Sequence, residues 1–134
     1  MNHLYFCLVL LLMSGCHREE ESSDRAVAYF EELTHKTIRK DVIYFIVSDY
    51  GCSSCKEDVY AKAETGNPVF SFIITDPRNV NILKDRFATG LELENIFIDS
   101  RGLNKKKRLI FSTPMVLWYS DHKWALEPYD MVNI

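Results

Sequence analysis

The sequence has no apolar run long enough to cross a bilayer as a helix. Its longest, Leu4 to Met13, matches the core of a cleavable export signal instead. It has no excess of positive charge: the formal net charge is -3, which argues against nucleic acid as the main partner. No internal repeat is visible, and low complexity is confined to the short acidic stretch "HREEESSD" after Cys16. Cysteine and histidine are scarce, four of each, which leaves little material for a metal site. Aromatic residues make up 13%, which suits a compact core and a protein-binding surface.

The N-terminus resembles a bacterial lipoprotein signal. The apolar run is followed by Ser14, Gly15 and Cys16, small-small-Cys, although Met13 stands where Leu is usual and no Lys or Arg precedes the run. The resemblance implies cleavage before Cys16, with lipid attached to that residue. An ordinary secretory signal with a chance cysteine is the alternative. Residues 1–15 are then the signal, 16–23 a flexible polar tether, and 24–134 one domain of ordinary size. The expected location is extracytoplasmic, on a bacterial membrane and facing the periplasm or the cell surface. A cysteine followed by a basic residue and an acidic run also resembles the surface-export signal of some bacterial lipoproteins. A solvated linker reads equally well.

If Cys7 leaves with the signal and Cys16 carries lipid, Cys52 and Cys55 have only each other. An exported chain sits in a disulfide-permissive compartment. Residues 24–40 pattern as a helix, with Ser23 or Asp24 capping its start. "DVIYFIVS" is apolar without alternation, as a strand buried on both faces should be. Cys52 comes directly after it, and "SSCKEDVYAKAE" can wind into a helix. "VFSFIITD" reads as a second buried strand. Residues 77–90 read as a helix, with Pro77 in its first turn and Gly90 past its end. "ENIFIDS" reads as a short strand, and residues 101–112 as a loop or short irregular helix. "PMVLWYS" and "KWALEPY" read as a hairpin turning near "DH". The result is an α/β domain with a mixed sheet of four or five strands flanked by helices. Only "DMVNI" follows, so no final helix is expected, and one sheet face needs a partner, a dimer or the N-terminal helix to cover it.

The cysteine pair sits where a buried strand hands over to a helix. Free N–H groups and the helix dipole there favour a thiolate, making Cys52 the attacking residue. Cys55, one turn on, can attack a mixed disulfide at Cys52. Ser53 and Ser54 tolerate the turn and can donate to the sulfur. Disulfide exchange, metal binding and an inert staple all remain open on spacing alone.

Here the chain resembles the thioredoxin superfamily, from about Asp24 to about Tyr129. The resemblance rests on the strand-CxxC-helix context and on "STPMVLWYS". It implies a cis bond at Thr113-Pro114 beside the cysteines, where that backbone docks the substrate chain; a trans proline opening an edge strand is the alternative. Membrane-anchored relatives often carry an acid three positions after the second cysteine. Asp58 has that spacing and would handle a proton at Cys55, unless "KED" is only a solvated face. Several features depart from the pattern. Gly51 replaces the usual aromatic before Cys52, with Tyr50 one position earlier. Ile46 replaces a buried acid, and Ser-Ser stands between the cysteines. A zinc site would lack ligands at the right spacing, since His35 and His122 are distant and His17 lies in the tether. Copper delivery would want a longer cysteine spacing, and a peroxiredoxin would want Thr or Ser at Asp49. "NKKKR" (Asn104 to Arg108) could attract acidic partners or membrane headgroups, or be a solvated loop. Tyr50, Trp118 and Trp124 are candidates for a substrate groove.

The expected function is thiol-disulfide exchange with exported proteins through Cys52 and Cys55. It needs no cofactor beyond the disulfide, and it requires a redox-regenerating partner. A non-catalytic binding or structural lipoprotein with an inert Cys52-Cys55 disulfide is the alternative.

Overall fold

The computed structural model describes residues 21–134. The expected signal (1–15), the Cys16 lipid site and most of the tether lie outside the described residues. Residues 21–34 form helix α1. The helix therefore takes in the last residues assigned to the tether, and Ser23 and Asp24 lie inside it rather than capping it. It also ends earlier than expected. His35 turns to a positive φ of 56°, with its N–H on the Glu31 carbonyl, and the Thr34 hydroxyl bonds the Phe30 carbonyl at 2.8 Å. This left-handed exit is a standard helix stop.

The sheet comprises β1 (Ile43–Ser48), β2 (Phe70–Thr75), β3 (Ile96–Ile98), β4 (Met115–Ser120) and β5 (Lys123–Pro128), in the spatial order β3-β2-β1-β4-β5. β1, β2 and β3 run parallel; β4 pairs antiparallel with β1, and β5 with β4. The central position of β1 explains its unbroken apolarity, because each face of it meets a core. Phe45 and Val47 point into one core with Phe72, Ile74, Val59, Tyr60 and Leu83. Tyr44 and Ile46 point into the other with Ala26, Tyr29, Phe30, Ile73 and Leu117. The parallel register sets Phe45 opposite Phe72, and their rings stack at 4.9 Å between centroids. Helix α1 supplies Ala26, Tyr29 and Phe30, so the N-terminal helix covers the face that the sequence left unassigned.

Helix α2 runs Ser53–Glu64, as the sequence indicates. The helix expected over 77–90 is two short ones, α3 (Val80–Arg86) and α4 (Ala88–Glu92). Asn79 caps α3, its side chain accepting from the N–H groups of Asn81 and Ile82. Pro77 precedes this cap, and Gly90 lies within α4 rather than after it. A Cβ on Gly90 would stand 2.2 Å from Ile96 Cδ1, so a larger residue there would have to displace the buried Ile96 side chain. Residues Leu103–Lys106 form α5. In the β4–β5 turn, Asp121 and His122 both have positive φ, 50° and 63°. That is the hairpin geometry whose twist matches the strands. After β5, the described chain makes one 3-10 turn, Tyr129–Met131. Among the described residues no helix is long and apolar enough to cross a membrane.

Candidate active site

Strand β1 leaves its core at Ser48, and the chain must turn at once to start α2. Asp49 anchors that turn. It is buried; its Oδ1 accepts from Tyr60 OH at 3.0 Å and its Oδ2 from the Arg78 N–H at 2.8 Å. Lys56, mostly buried, sits 3.6 Å from Oδ1 and donates to the Asp49 carbonyl at 3.3 Å. Gly51 is needed because a Cβ would lie 3.0 Å from the Ser112 carbonyl oxygen and 3.1 Å from that of Ser48. That close approach lets Cys52 N–H donate to Ser112 at 3.1 Å, so the segment before Pro114 is tied to the cysteine turn.

Cys52 is exposed and occupies the N-cap of α2; Cys55 is half-buried one turn on, and both are free thiols. The Cys52 sulfur closes no formal cap hydrogen bond. It lies 3.5 Å from Ser54 Oγ. Its pKa is lowered to about 7, first by the Ser54 hydroxyl, then by the Cys55 backbone N–H and the Cys55 thiol. The Cys55 thiol is pushed the other way, first by its hydrogen bond to Cys52, then by burial, with the Cys52 and Asp130 charges adding to it. Two thiols three residues apart are therefore unequal: one ready to ionise, one held protonated.

Asp58 is exposed, and Tyr129 OH donates to its Oδ2 at 2.5 Å. Tyr129 is raised to about 12, by burial first, then by the Asp58 hydrogen bond and charge, with a smaller contribution from Cys55. Tyr129 reaches this place because its N–H bonds the Pro114 carbonyl at 2.9 Å and its ring packs on Phe45. The sequence reading missed Tyr129 and Asp130, which arrive from the far end of the chain. The Asp49–Lys56 pair was missed too; its visible signal was an acid directly after an apolar strand.

Every described peptide bond is trans, so the cis bond expected at Thr113-Pro114 is not present. Pro114 is buried, directly precedes β4 and accepts the Tyr129 N–H at its carbonyl, while Thr113 is exposed. It stands directly before β4, which lies between β1 and β5, so it does not open an edge strand either.

Tyr50, Cys52 and Thr113 line one open cleft of about 1010 Å³ at the C-terminal ends of β1, β2 and β3. Asp58 and Pro114 do not line it. Tyr50 is 67% exposed, with the Arg78 guanidinium 4.7 Å from its ring centre. Trp124 packs against Tyr44 and Tyr119 instead, and Trp118 does not line the cleft either. Asn104, expected in a basic loop, is fully buried. Its amide donates to Asp76 at 3.3 Å and to the Leu109 carbonyl at 3.4 Å. Among the described residues no cluster of three or more His, Cys, Asp or Glu is placed to hold a metal. Compared with family models, curated proteins and solved structures, the chain shows no significant match.

Proposed function

We propose that the protein is a thiol-disulfide oxidoreductase of thioredoxin-like fold, acting on exported proteins from a lipid anchor at Cys16. The observation that carries this reading is the inequality of the pair: an exposed Cys52 with a thiol lowered to about 7, beside a Cys55 raised above its ordinary value. The strand order, with the pair directly after the central strand, supports the fold assignment.

In the reducing direction, the Cys52 thiolate attacks one sulfur of a substrate disulfide. A Cys52–substrate disulfide forms, and the other substrate sulfur leaves as a thiolate. Cys55 then loses its proton and attacks Cys52 Sγ. The Cys52–Cys55 disulfide forms and the second substrate thiolate leaves; two electrons have passed to the substrate. Protons from Cys55 and solvent neutralise the two thiolates. A dithiol donor regenerates the pair; a disulfide oxidant would do so if the cycle runs in reverse. Asp58, reached through the Tyr129 hydroxyl that donates to it and feels the Cys55 charge, takes up the Cys55 proton. Thr113 offers docking positions, since among the described residues neither its N–H nor its C=O has a backbone partner.

Trapping tests the reading. A Cys55→Ala variant should accumulate mixed disulfides with exported proteins through Cys52. Absence of any such adduct, together with a Cys52 thiol titrating near the ordinary 9.0, would leave the pair as an inert staple on a binding protein.

A further inference from the structure

We infer that strand β5 is an interface with a second copy of this chain, the two strands pairing antiparallel, edge to edge, about Ala125. The inference does not rest on the exchange reaction.

β5 ends the sheet on one side: it pairs with β4, and no described strand lies beyond it. The hairpin turn decides which of its backbone groups are left over. Asp121 and His122, both at positive φ, make a two-residue turn, so Ser120 and Lys123 exchange hydrogen bonds. By the same alternation Trp118 bonds Ala125, and Val116 bonds Glu127. The N–H and C=O groups of Trp124 and Leu126 therefore point away from β4. Among the described residues neither has a backbone partner outside the sheet. The opposite edge is different. β3 has three residues, a length that offers little to pair with. A groove of about 460 Å³ runs along β5 from Lys123 to Pro128, and Met131, 78% exposed, lines it.

A strand laid on this edge must match its charges, and β5 matches itself. Lys123 and Glu127 stand on one face, two residues to either side of Ala125. Neither has an ion-pair partner among the described residues. In an antiparallel pair centred on Ala125, Lys123 lies opposite the partner's Glu127, and Glu127 opposite the partner's Lys123. Trp124 comes opposite the partner's Leu126, in the hydrogen-bonded positions that their outward backbone groups require. The centre is a non-hydrogen-bonded pair, where side chains come closest, and Ala125 is small enough to meet its own copy there. Parallel pairing in register would set Lys123 against the partner's Lys123, so the charges also choose the direction. Lysine and proline commonly blunt a free edge. Here the register neutralises Lys123, and Pro128, without an N–H, only ends the pairing. Each copy has one such edge and the contact is two-fold, so association stops at a dimer. No β5 residue lines the Cys52 cleft, so both clefts stay open.

The test is cross-linking and charge exchange in cells expressing the full chain. Ala125→Cys is made in a Cys52→Ser/Cys55→Ser background and treated with the thiol oxidant diamide. It should give a disulfide-linked dimer on a non-reducing gel, well above the background chain, because the two sulfurs meet at the axis. Lys123→Cys alone should not, since its own copy lies several residues away along the strand. Lys123→Cys co-expressed with Glu127→Cys should. Charge exchange is read by co-purifying two differently tagged copies. Lys123→Glu and Glu127→Lys should each weaken self-association about tenfold at low salt. The two variants mixed should bind one another, and copies carrying both changes should associate again. Both side chains are on the surface of the edge, so this rescue separates lost contact from lost fold. No Ala125→Cys dimer above background overturns the inference. So does equal linking by Ala125→Cys and Lys123→Cys, which marks random collision. Self-association unchanged by Lys123→Glu overturns it as well, as does linkage of Ala125→Cys to a different protein, which would make β5 the seat of a foreign strand.

Discussion

The lowered Cys52 thiol has a dominant, removable cause. Ser54 is exposed, its Oγ lies 3.5 Å from the sulfur, and its hydroxyl is the leading contributor to a value of about 7 against an ordinary 9.0. At pH 7 a thiol of that kind is about half ionised, whereas one at the ordinary value is about 1% ionised. Ser54→Ala removes the hydroxyl and leaves the helix N-terminus and the Cys55 contacts in place. If the hydroxyl carries half of the lowering, the thiolate fraction at pH 7 drops from about one half to about one tenth. The assay is the rate of Cys52 carboxamidomethylation, followed by mass between about pH 5 and pH 10. The wild-type midpoint should lie near 7 and the variant's clearly higher. Identical midpoints would show that the serine hydroxyl does not act on the sulfur. The same lowering has a stability consequence whose sign is definite. Between about pH 7 and pH 9 the unfolded chain holds the Cys52 proton and the folded chain does not, so the reduced protein gains stability as pH rises through that window. Stability is lost again above it, where the folded chain holds the Cys55 proton longer than the unfolded one.

Three further outcomes follow from single contacts. Asp49→Ala strips the partner from buried Tyr60 OH, from the Arg78 N–H and from Lys56. It should cost about 3–5 kcal/mol in urea unfolding, whereas Glu57→Ala, which breaks exposed ion pairs, should cost less than about 1 kcal/mol. Gly90→Ala should destabilise by about 1–3 kcal/mol through its clash with Ile96; combining it with Ile96→Ala should cost less than the sum of the two single changes. Asp58→Asn should bring the Tyr129 phenol down from about 12 toward its ordinary value, read by ultraviolet titration. Burial, the larger cause, remains and keeps the shift incomplete.

Local features were legible early. The unbroken apolarity of "DVIYFIVS" announced a strand buried on both faces, and Cys52 fell at the helix start where the spacing put it. The stretch "SSCKEDVYAKAE", which could wind into a helix, is α2 from end to end. The 77–90 segment was less legible, because Gly90 serves a contact with Ile96 on another element rather than a helix end. Thr113-Pro114 was read through a family pattern, whereas the bond is trans and the proline directly precedes β4. Tyr129 carried no local signal; only the return of β5 beside β4 brings it to Asp58.

Neighbours along the chain set what the sequence determined by itself: the strand-cysteine-helix handover, the candidate attacking and resolving roles, and the α/β order of elements. Each depends on a few consecutive residues and on backbone periodicity. Tertiary structure alone decided three things. Helix α1 covers the second sheet face; Gly51 admits the Ser112 carbonyl; and Lys105 and Ile110 line the cleft that holds Cys52. Each joins residues far apart in sequence. Such contacts arise only once the sheet order has closed the loops between them.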